Sequence, residues 1–341
     1  MRKLYTLVAM IMFFANISAQ DMQYSQFYAA PLYLNPAFAG SSEMTRIGVN
    51  YRNQWPGLGH TFNSYSAYMD HYLFNLNSGI GLIVNGTQES MSNLSTMEVG
   101  GVYAYRLQLG FSSFLRFGGQ ASFVSRDANF SQMIFGSQID ANGNIGDFSG
   151  ENLGADVRHR FMDYNFGALY HNEAVWLGVS AHHITQPNVS FVEEGISKLP
   201  MRLSAHGGVK IDLSQGMSQQ FNNNIMGRRE LLLAFNYKHQ DPFNQLDLGA
   251  QINLQPIVFG VWYRGLPTIS SMLPNNESLI GLIGFSLGNG LDVGYSYDYT
   301  LSKLNQANSG GAHEISMRFS FLAGDSGQRD RKVSMMPCFK Y

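Results

Sequence analysis

The chain has little cysteine, little charge and no long apolar run after its start. Cys338 is the single cysteine among 341 residues, which excludes an intramolecular disulfide scaffold. Lys, Arg, Asp and Glu together make up only 13% of the residues, and the formal net charge is −2. This balance provides no basic surface for a nucleic acid. Beyond the first twenty residues no segment has the apolar length of a membrane helix, which excludes a helical membrane protein.

The first residues have the pattern of an export signal. Arg2 and Lys3 form a basic start, residues 4–14 are largely apolar, and Ala19-Gln20 suits cleavage. The apolar stretch is too short for a comfortable transmembrane anchor. We therefore expect residues 1–19 to be a signal peptide that is removed on export.

Apolar and polar residues alternate in fourteen later segments. In residues 201–212 most odd positions are apolar and most even positions are polar or charged, so a strand there has one apolar and one polar face. Repeated behind an export signal, this pattern predicts an all-β fold, a transmembrane antiparallel β-barrel of about 14 strands over residues 44–322. The predicted strands lie near residues 44–55, 61–74, 77–86, 94–108, 112–126, 163–171, 173–184, 200–212, 229–238, 243–254, 256–265, 278–288, 290–300 and 312–322.

Connection lengths support the barrel but leave the strand count open. Long and short connections should alternate between the two ends of such a barrel. Connections 213–228 and 239–242 break this rule, and a missed or extra strand would explain both, so twelve and sixteen strands remain alternatives. A soluble β-sandwich or propeller would also alternate, but aromatic residues near the strand ends favour a membrane barrel.

Two segments do not fit the barrel wall. Residues 20–43 are rich in aromatics and contain Pro31 and Pro36, which favours a short helix with turns over a strand. We expect this segment to lie in the lumen or against the periplasmic mouth, with a partner-docking strand as the alternative. Residues 323–341 should form a periplasmic tail, either free or docked.

The predicted inward face carries charges of both signs. Mixed signs favour a lattice of ion pairs over a selectivity filter, which concentrates one sign. Whether the lumen is open or plugged does not follow from the sequence. The nine cations and seven anions are Arg46, Arg52, Arg106, Arg116, Arg202, Lys210, Lys238, Arg264, Arg318, Glu98, Asp212, Glu230, Asp247, Asp292, Asp298 and Glu314.

No motif of catalysis, metal binding or cofactor binding is evident. His182 and His183 are adjacent on a predicted strand, so their rings should point to opposite faces. Arg158, His159 and Arg160 fall in the predicted insert 127–162, which we interpret as a solvated loop. We therefore expect no enzyme and no catalytic, cofactor-binding or metal-binding residues.

Several stretches carry a family resemblance. Residues 23–27 (QYSQF), 34–40 (LNPAFAG) and 51–56 (YRNQWP) are followed by Asp70 and residues 79–82 (GIGL). Residues 176–180 (WLGVS), His183 and residues 186–187 (QP) continue the match. In these positions the chain resembles the PorP/SprF family of outer-membrane proteins.

The resemblance implies a non-enzymatic part in type IX secretion and gliding motility in the outer membrane of a Gram-negative bacterium of the Bacteroidota. The partners it implies are membrane lipid (lipopolysaccharide and phospholipid), a secreted adhesin or other cargo, and periplasmic ring or peptidoglycan-binding components. It points to a set of candidate signature residues, each of which could be structural: Asn35, Pro36, Arg52, Gln54, Trp55 and Asp70.

The sequence is also compatible with two other functions. One is a channel or transporter for small or hydrophobic solutes, and the other is a structural barrel without a partner. A plugged, ion-paired lumen would favour an anchor for protein partners, whereas a continuous pore or apolar tunnel would favour a channel.

Overall fold

The computed structural model of the protein describes residues 21–90, 93–129, 138–139, 145–146, 156–191, 195–213, 229–266, 276–287, 289–301 and 309–322. Fourteen strands form a closed antiparallel barrel in which each pairs with the next and β14 pairs with β1, as predicted. No helix among the described residues is long and apolar enough to cross a membrane. The strands are β1 Thr45–Gln54, β2 Phe62–Leu73, β3 Ser78–Glu89, β4 Leu94–Gln108, β5 Phe114–Asn129, β6 Asp156–His171, β7 Val175–His182, β8 Arg202–Asp212, β9 Arg229–Gln240, β10 Phe243–Leu254, β11 Ile257–Gly265, β12 Asn276–Leu287, β13 Leu291–Thr300 and β14 Ala312–Phe321.

Burial alternates along the strands as the sequence predicts. On β1, Ile47 and Val49 are exposed on the outside, whereas Arg46, Asn50 and Arg52 are buried on the inside. Strand geometry places successive side chains on opposite faces, so the outer wall is apolar and the inner wall is polar. This inverted arrangement is the one expected of a barrel surrounded by lipid.

The two rims of the barrel differ in their connections. β1 begins and β14 ends at the same rim, where residues 74–77, 109–113 and 255–256 form short turns. Short turns mark the periplasmic side of outer-membrane barrels, so we name this the periplasmic rim and the opposite one the outer rim. Longer connections, such as residues 183–201, lie at the outer rim.

One expectation about the wall is wrong. β6 begins at Asp156 rather than near residue 163, so Arg158, His159 and Arg160 lie on a strand and not in a loop. The β5–β6 hairpin continues beyond the apolar band, where the outward residues Arg158 and Arg160 are charged and the inward residues Val157 and Phe161 are apolar, so the membrane-strand pattern is reversed. The short outer turn is residues 241–242, between β9 and β10, and no additional strand is needed there. Residues 214–228 lie outside the described residues.

The apolar core lies inside the barrel and is built around residues 21–44, which we call the lumen segment. It contains a 3-10 turn at Phe27–Ala29, a short helix α1 at Pro31–Leu34 and a 3-10 turn at Pro36–Phe38. Pro31 and Pro36 each stand at the start of a helical turn, where proline is well tolerated. Apolar side chains of the segment pack against inward side chains of the wall such as Ile83, Leu169 and Trp262.

Candidate functional site

The lumen segment runs from one rim of the barrel to the other. Near its start, the Asp21 N–H donates to Gln240 Oε1 at 3.3 Å, and Gln240 is the last residue of β9 at the outer rim. Near its end, the Gly40 N–H donates to Asp70 Oδ2 at 2.6 Å, close to the periplasmic end of β2. The segment then leads into β1. The polypeptide therefore crosses the lumen before it enters the wall.

An ion cluster on three strands holds the start of the segment. Arg52 on β1 lies 2.9 Å from Asp298 on β13 and 3.4 Å from Glu314 on β14. The N–H groups of Ser25 and Gln26 donate to the two Glu314 carboxylate oxygens at 2.6 and 3.0 Å. The Glu314 carboxylate is therefore shared between a wall arginine and the backbone of the lumen segment.

Arg264 on β11 extends this cluster across the lumen. Its guanidinium lies 2.8 Å from Asp247 and 3.1 Å from Asp298, and it also donates to the Tyr24 carbonyl at 3.2 Å. Arg264 is fully buried. A buried charge is costly unless opposite charge and hydrogen bonds surround it, and this arrangement supplies both. Arg264 therefore binds the lumen segment, and its charge is matched by two wall carboxylates instead of being left unpaired in the lumen.

Asn35 fixes the middle of the segment to two strands. Its side-chain oxygen accepts from the Ala37 N–H at 2.8 Å, which caps the turn at Pro36–Phe38. Its Nδ2 donates to the carbonyls of Ala168 on β6 and Val179 on β7, at 3.1 and 3.0 Å. Asn35 is fully buried. One amide thus shapes the local turn and holds it against the wall.

The wall approaches this turn closely because two strands carry glycine there. A Cβ added to Gly118 on β5 would overlap the backbone of Pro36 and Ala37. A Cβ added to Gly167 on β6 would overlap the Asn35 side chain. The Asn35-Pro36 turn can therefore pack this closely against the wall only because Gly118 and Gly167 have no side chain.

A second set of charges holds the periplasmic end of the segment. Arg46 on β1 forms a bidentate ion pair with Asp70 on β2. Its Nε and Nη2 atoms lie 2.9 and 2.7 Å from the two carboxylate oxygens. Arg46 also donates to the Phe38 carbonyl at 3.0 Å. Arg116 on β5 donates to the carbonyls of Ala37, at 3.0 Å, and Ala39. Wall arginines therefore bind three backbone carbonyls at this end of the segment, those of Ala37, Phe38 and Ala39.

Arg106 on β4 completes the periplasmic attachment. It forms an ion pair with Glu43 of the lumen segment. Its guanidinium also lies over the rings of Tyr72 and Phe114, at 4.6 and 4.9 Å from their centroids. A guanidinium over aromatic faces gains cation–π attraction in addition to its ion pair.

The outer end of the segment is held by a charged clasp of Asp21, His183 and Asp163. His183 Nε2 lies 2.8 Å from Asp21 Oδ2, and its Nδ1 lies 2.9 Å from Asp163 Oδ2. Burial alone would lower the pKa of His183, but the two carboxylates raise it to about 10. Burial alone would raise the pKa of Asp21, but His183 and Arg202 hold it well below its usual range. The clasp is therefore an ion pair at neutral pH.

The expectation that His182 and His183 face opposite sides is wrong. β7 ends at His182, and His183 follows with a φ of 56°, which breaks the strand alternation. Both rings turn toward the lumen segment: His182 Nε2 lies 3.3 Å from the Leu34 carbonyl, and His183 contacts Asp21. The break in alternation is what brings the clasp together.

The candidate residues divide into those that contact the lumen segment and those that do not. Asn35 and Pro36 belong to the segment, and Arg52 and Asp70 bind it, whereas Gln54 and Trp55 lie at the outer end of β1. The Trp55 N–H donates to the Gly311 carbonyl at 2.8 Å, away from the segment. The predicted wall charges that bind the segment are Arg46, Arg52, Arg106, Arg116, Arg202, Arg264, Asp298 and Glu314.

The other predicted inward charges have partners on the wall. Arg318 pairs with Asp292 at 2.7 Å. Glu98 accepts from Asn85 and Gln120, both at 2.8 Å. Longer contacts of 3.9 Å join Lys210 to Glu230 and Lys238 to Asp247. These groups form paired or hydrogen-bonded sets along the wall.

Several residues that hold the lumen segment were not among the candidates predicted from the sequence. Asp21, Ser25 and Asp163 bind across large separations in sequence, and no local pattern marks such pairs. Trp262 packs against the ring of Phe27, with centroids 5.2 Å apart. The alternation predicts that Trp262 faces inward on β11, but it does not predict that Phe27 is its partner.

Comparison with known proteins agrees with this architecture. The family described as type IX secretion system membrane protein PorP/SprF matches residues 16–319. The chain belongs to the PorP/SprF family. Among the curated proteins, none matches the sequence.

Solved structures similar to this PorP/SprF protein are outer-membrane barrels. The CymD monoaromatic hydrocarbon channel has a TM-score of 0.51 at 14% identity, with 86% of this chain and 93% of that chain covered. Omp33 of Acinetobacter baumannii has a TM-score of 0.42 at 9% identity, with 83% and 100% covered. A FadL homologue of Pseudomonas aeruginosa has a TM-score of 0.42 at 12% identity, with 84% and 93% covered. At these identities the likeness to CymD supports the fold alone.

Proposed function

We propose that this PorP/SprF protein is a non-enzymatic outer-membrane mount that supports the secretion or surface anchoring of type IX cargo, such as adhesins. The supporting observation is the lumen segment, which is fixed by wall charges near both rims. A barrel filled in this way is suited to present surfaces to other proteins. Its proposed partners are outer-membrane lipid, a secreted cargo protein and periplasmic components of the secretion machinery.

The attachment of the segment argues against a gate that opens readily. Releasing it would remove hydrogen bonds from buried Arg52, Arg264 and Asp70, and a hydrogen bond to a charged group is worth about 1.5–3 kcal/mol. It would also expose the buried side chains of Phe27, Leu32 and Phe38, each worth about 1.5–3 kcal/mol. These free-energy costs of releasing the segment favour a permanently filled lumen over a solute channel.

A deletion strain tests the proposed role. Cargo bearing a type IX sorting domain should leave the surface of intact cells when the gene is deleted, and wild-type protein should restore it. Protease accessibility of the cargo on intact cells, with cargo in the medium and periplasm as controls, is the measurement. Unchanged cargo together with a fall in solute uptake would support the channel and contradict the mount.

A further inference from the structure

The β5–β6 hairpin extends beyond its neighbour at the outer rim. β5 and β6 pair from Phe114↔His171 to Asn129↔Asp156, whereas β6 and β7 pair only from Phe166↔Ala181 to His171↔Trp176. Across the described chain, no strand pairs with the other edge of β6 between residues 157 and 163. We call residues 157–163 the outer edge of β6.

This edge presents backbone hydrogen-bonding groups. The last backbone contact on this side is from the Ile184 N–H to the Tyr164 carbonyl, at 3.2 Å. In an antiparallel strand, alternate residues direct both N–H and C=O to the same side. The backbone groups of Arg158, Arg160 and Met162 therefore point away from β5. Such an edge is a template for another extended chain.

The hairpin is supported from the lumen side, and no described strand pairs with its outer edge. His159 Nε2 lies 2.8 Å from the Asn188 carbonyl, and Arg126 donates to the Val189 carbonyl at 3.4 Å. The Arg126 guanidinium also lies 5.3 Å from the ring centroid of Phe191. These contacts use inward side chains, so residues 184–191 brace the hairpin without pairing along its edge.

The charged side chains beside the outer edge of β6 determine which kind of strand can pair with it. Arg158 and Arg160 are exposed on the outward face, and Arg158 forms an ion pair with Asp127. Arg160 has no salt bridge to any described residue. A second copy of this chain would place Arg160 of each copy on the same paired face, and like charges on opposed strands are destabilising. An occupant with carboxylates on that face is favoured instead.

We propose that the outer edge of β6 is a docking site for an extended acidic strand of the secreted partner. Backbone hydrogen bonds would supply affinity, and carboxylates facing Arg158 and Arg160 would supply selectivity, as in other cases of strand addition. The identification of the partner as cargo rests on the proposed function. The edge itself rests on the register of β5, β6 and β7.

A peptide experiment on the purified full-length protein in detergent tests the edge. The probe is a fluorescent ten-residue peptide of alternating Glu and Thr, compared with Lys–Thr and proline-interrupted versions. Met162→Pro removes an N–H on the open side, and proline is tolerated at such an edge position. Met162→Ala is the matched control that keeps this N–H. Arg160→Glu reverses the selecting charge.

We expect the acidic peptide to bind at least tenfold more tightly than both other peptides. Met162→Pro and Arg160→Glu should each weaken it at least tenfold, and Met162→Ala should not. Hydrogen exchange at residues 158–162 should slow when the acidic peptide is bound. Equal binding of all three peptides, or unchanged exchange, would overturn the docking site. Neither result would affect the loss of surface cargo expected in the deletion strain. The peptide experiment and the deletion strain therefore test the two proposals separately.

Discussion

The Arg46–Asp70 pair gives the sharpest test of how the lumen segment is held. Asp70→Ala removes the carboxylate that binds both Arg46 and the Gly40 N–H, and it leaves a buried guanidinium without its counter-charge. Breaking a buried pair from one side typically costs about 3–5 kcal/mol. We therefore expect Asp70→Ala to lower the free energy of unfolding by about that amount.

The double variant Arg46→Met with Asp70→Leu removes more contacts but leaves no orphaned charge. Replacing both members of a buried pair by apolar residues is often neutral or stabilising. The double variant should therefore be more stable than Asp70→Ala. As a control, Arg158→Ala breaks the exposed pair with Asp127 and should cost only about 0–1 kcal/mol.

Urea unfolding in detergent micelles, followed by tryptophan fluorescence and by mobility on unheated gels, measures these differences. The reasoning is refuted if the double variant is at least as destabilised as Asp70→Ala. It is equally refuted if Asp70→Ala matches the Arg158→Ala control.

Three further changes test the seat and the clasp of the segment. Gly118→Ala should make residues 30–40 more sensitive to protease, whereas Gly101→Ala, with open space around its Cβ, should not; equal sensitivity would contradict the close approach. Asn35→Ala should cost about 2–4 kcal/mol, because three buried hydrogen bonds are lost, and an unfolding midpoint equal to wild type would contradict this. Because its pKa is raised from 6.5 to about 10, His183 stabilises the fold fully below pH 6.5 and loses this contribution as the pH rises to about 10. The stability difference between wild type and His183→Gln should therefore shrink over this range, while a constant difference would exclude the ionic clasp of His183 and Asp21.

The wall of the barrel follows from local information. Period-two alternation located all fourteen strands, and the bounds of β4 and β10 match the prediction. The start of β6 was missed because Arg158 and Arg160 replace apolar residues on its outward face above the lipid band. Apolar outward and polar inward residues therefore mark a strand only within the lipid band.

The site depends on pairings that local patterns do not encode. The inward positions of Arg52, Arg264 and Glu314 followed from alternation, but their shared attachment to residues 24–26 depends on the closed barrel. The proline-interrupted, aromatic composition of residues 20–43 indicated a segment outside the wall. Its course from Gln240 to Asp70 required the three-dimensional structure.

Single-channel conductance of the purified protein in planar bilayers tests most directly whether the lumen segment closes the barrel. Wild-type protein should insert without steady conductance steps, whereas a variant in which a Gly-Ser linker of equal length replaces residues 22–40 should open steps of porin size. Steady steps of that size from the wild-type protein would contradict the filled lumen and the mount proposed for it.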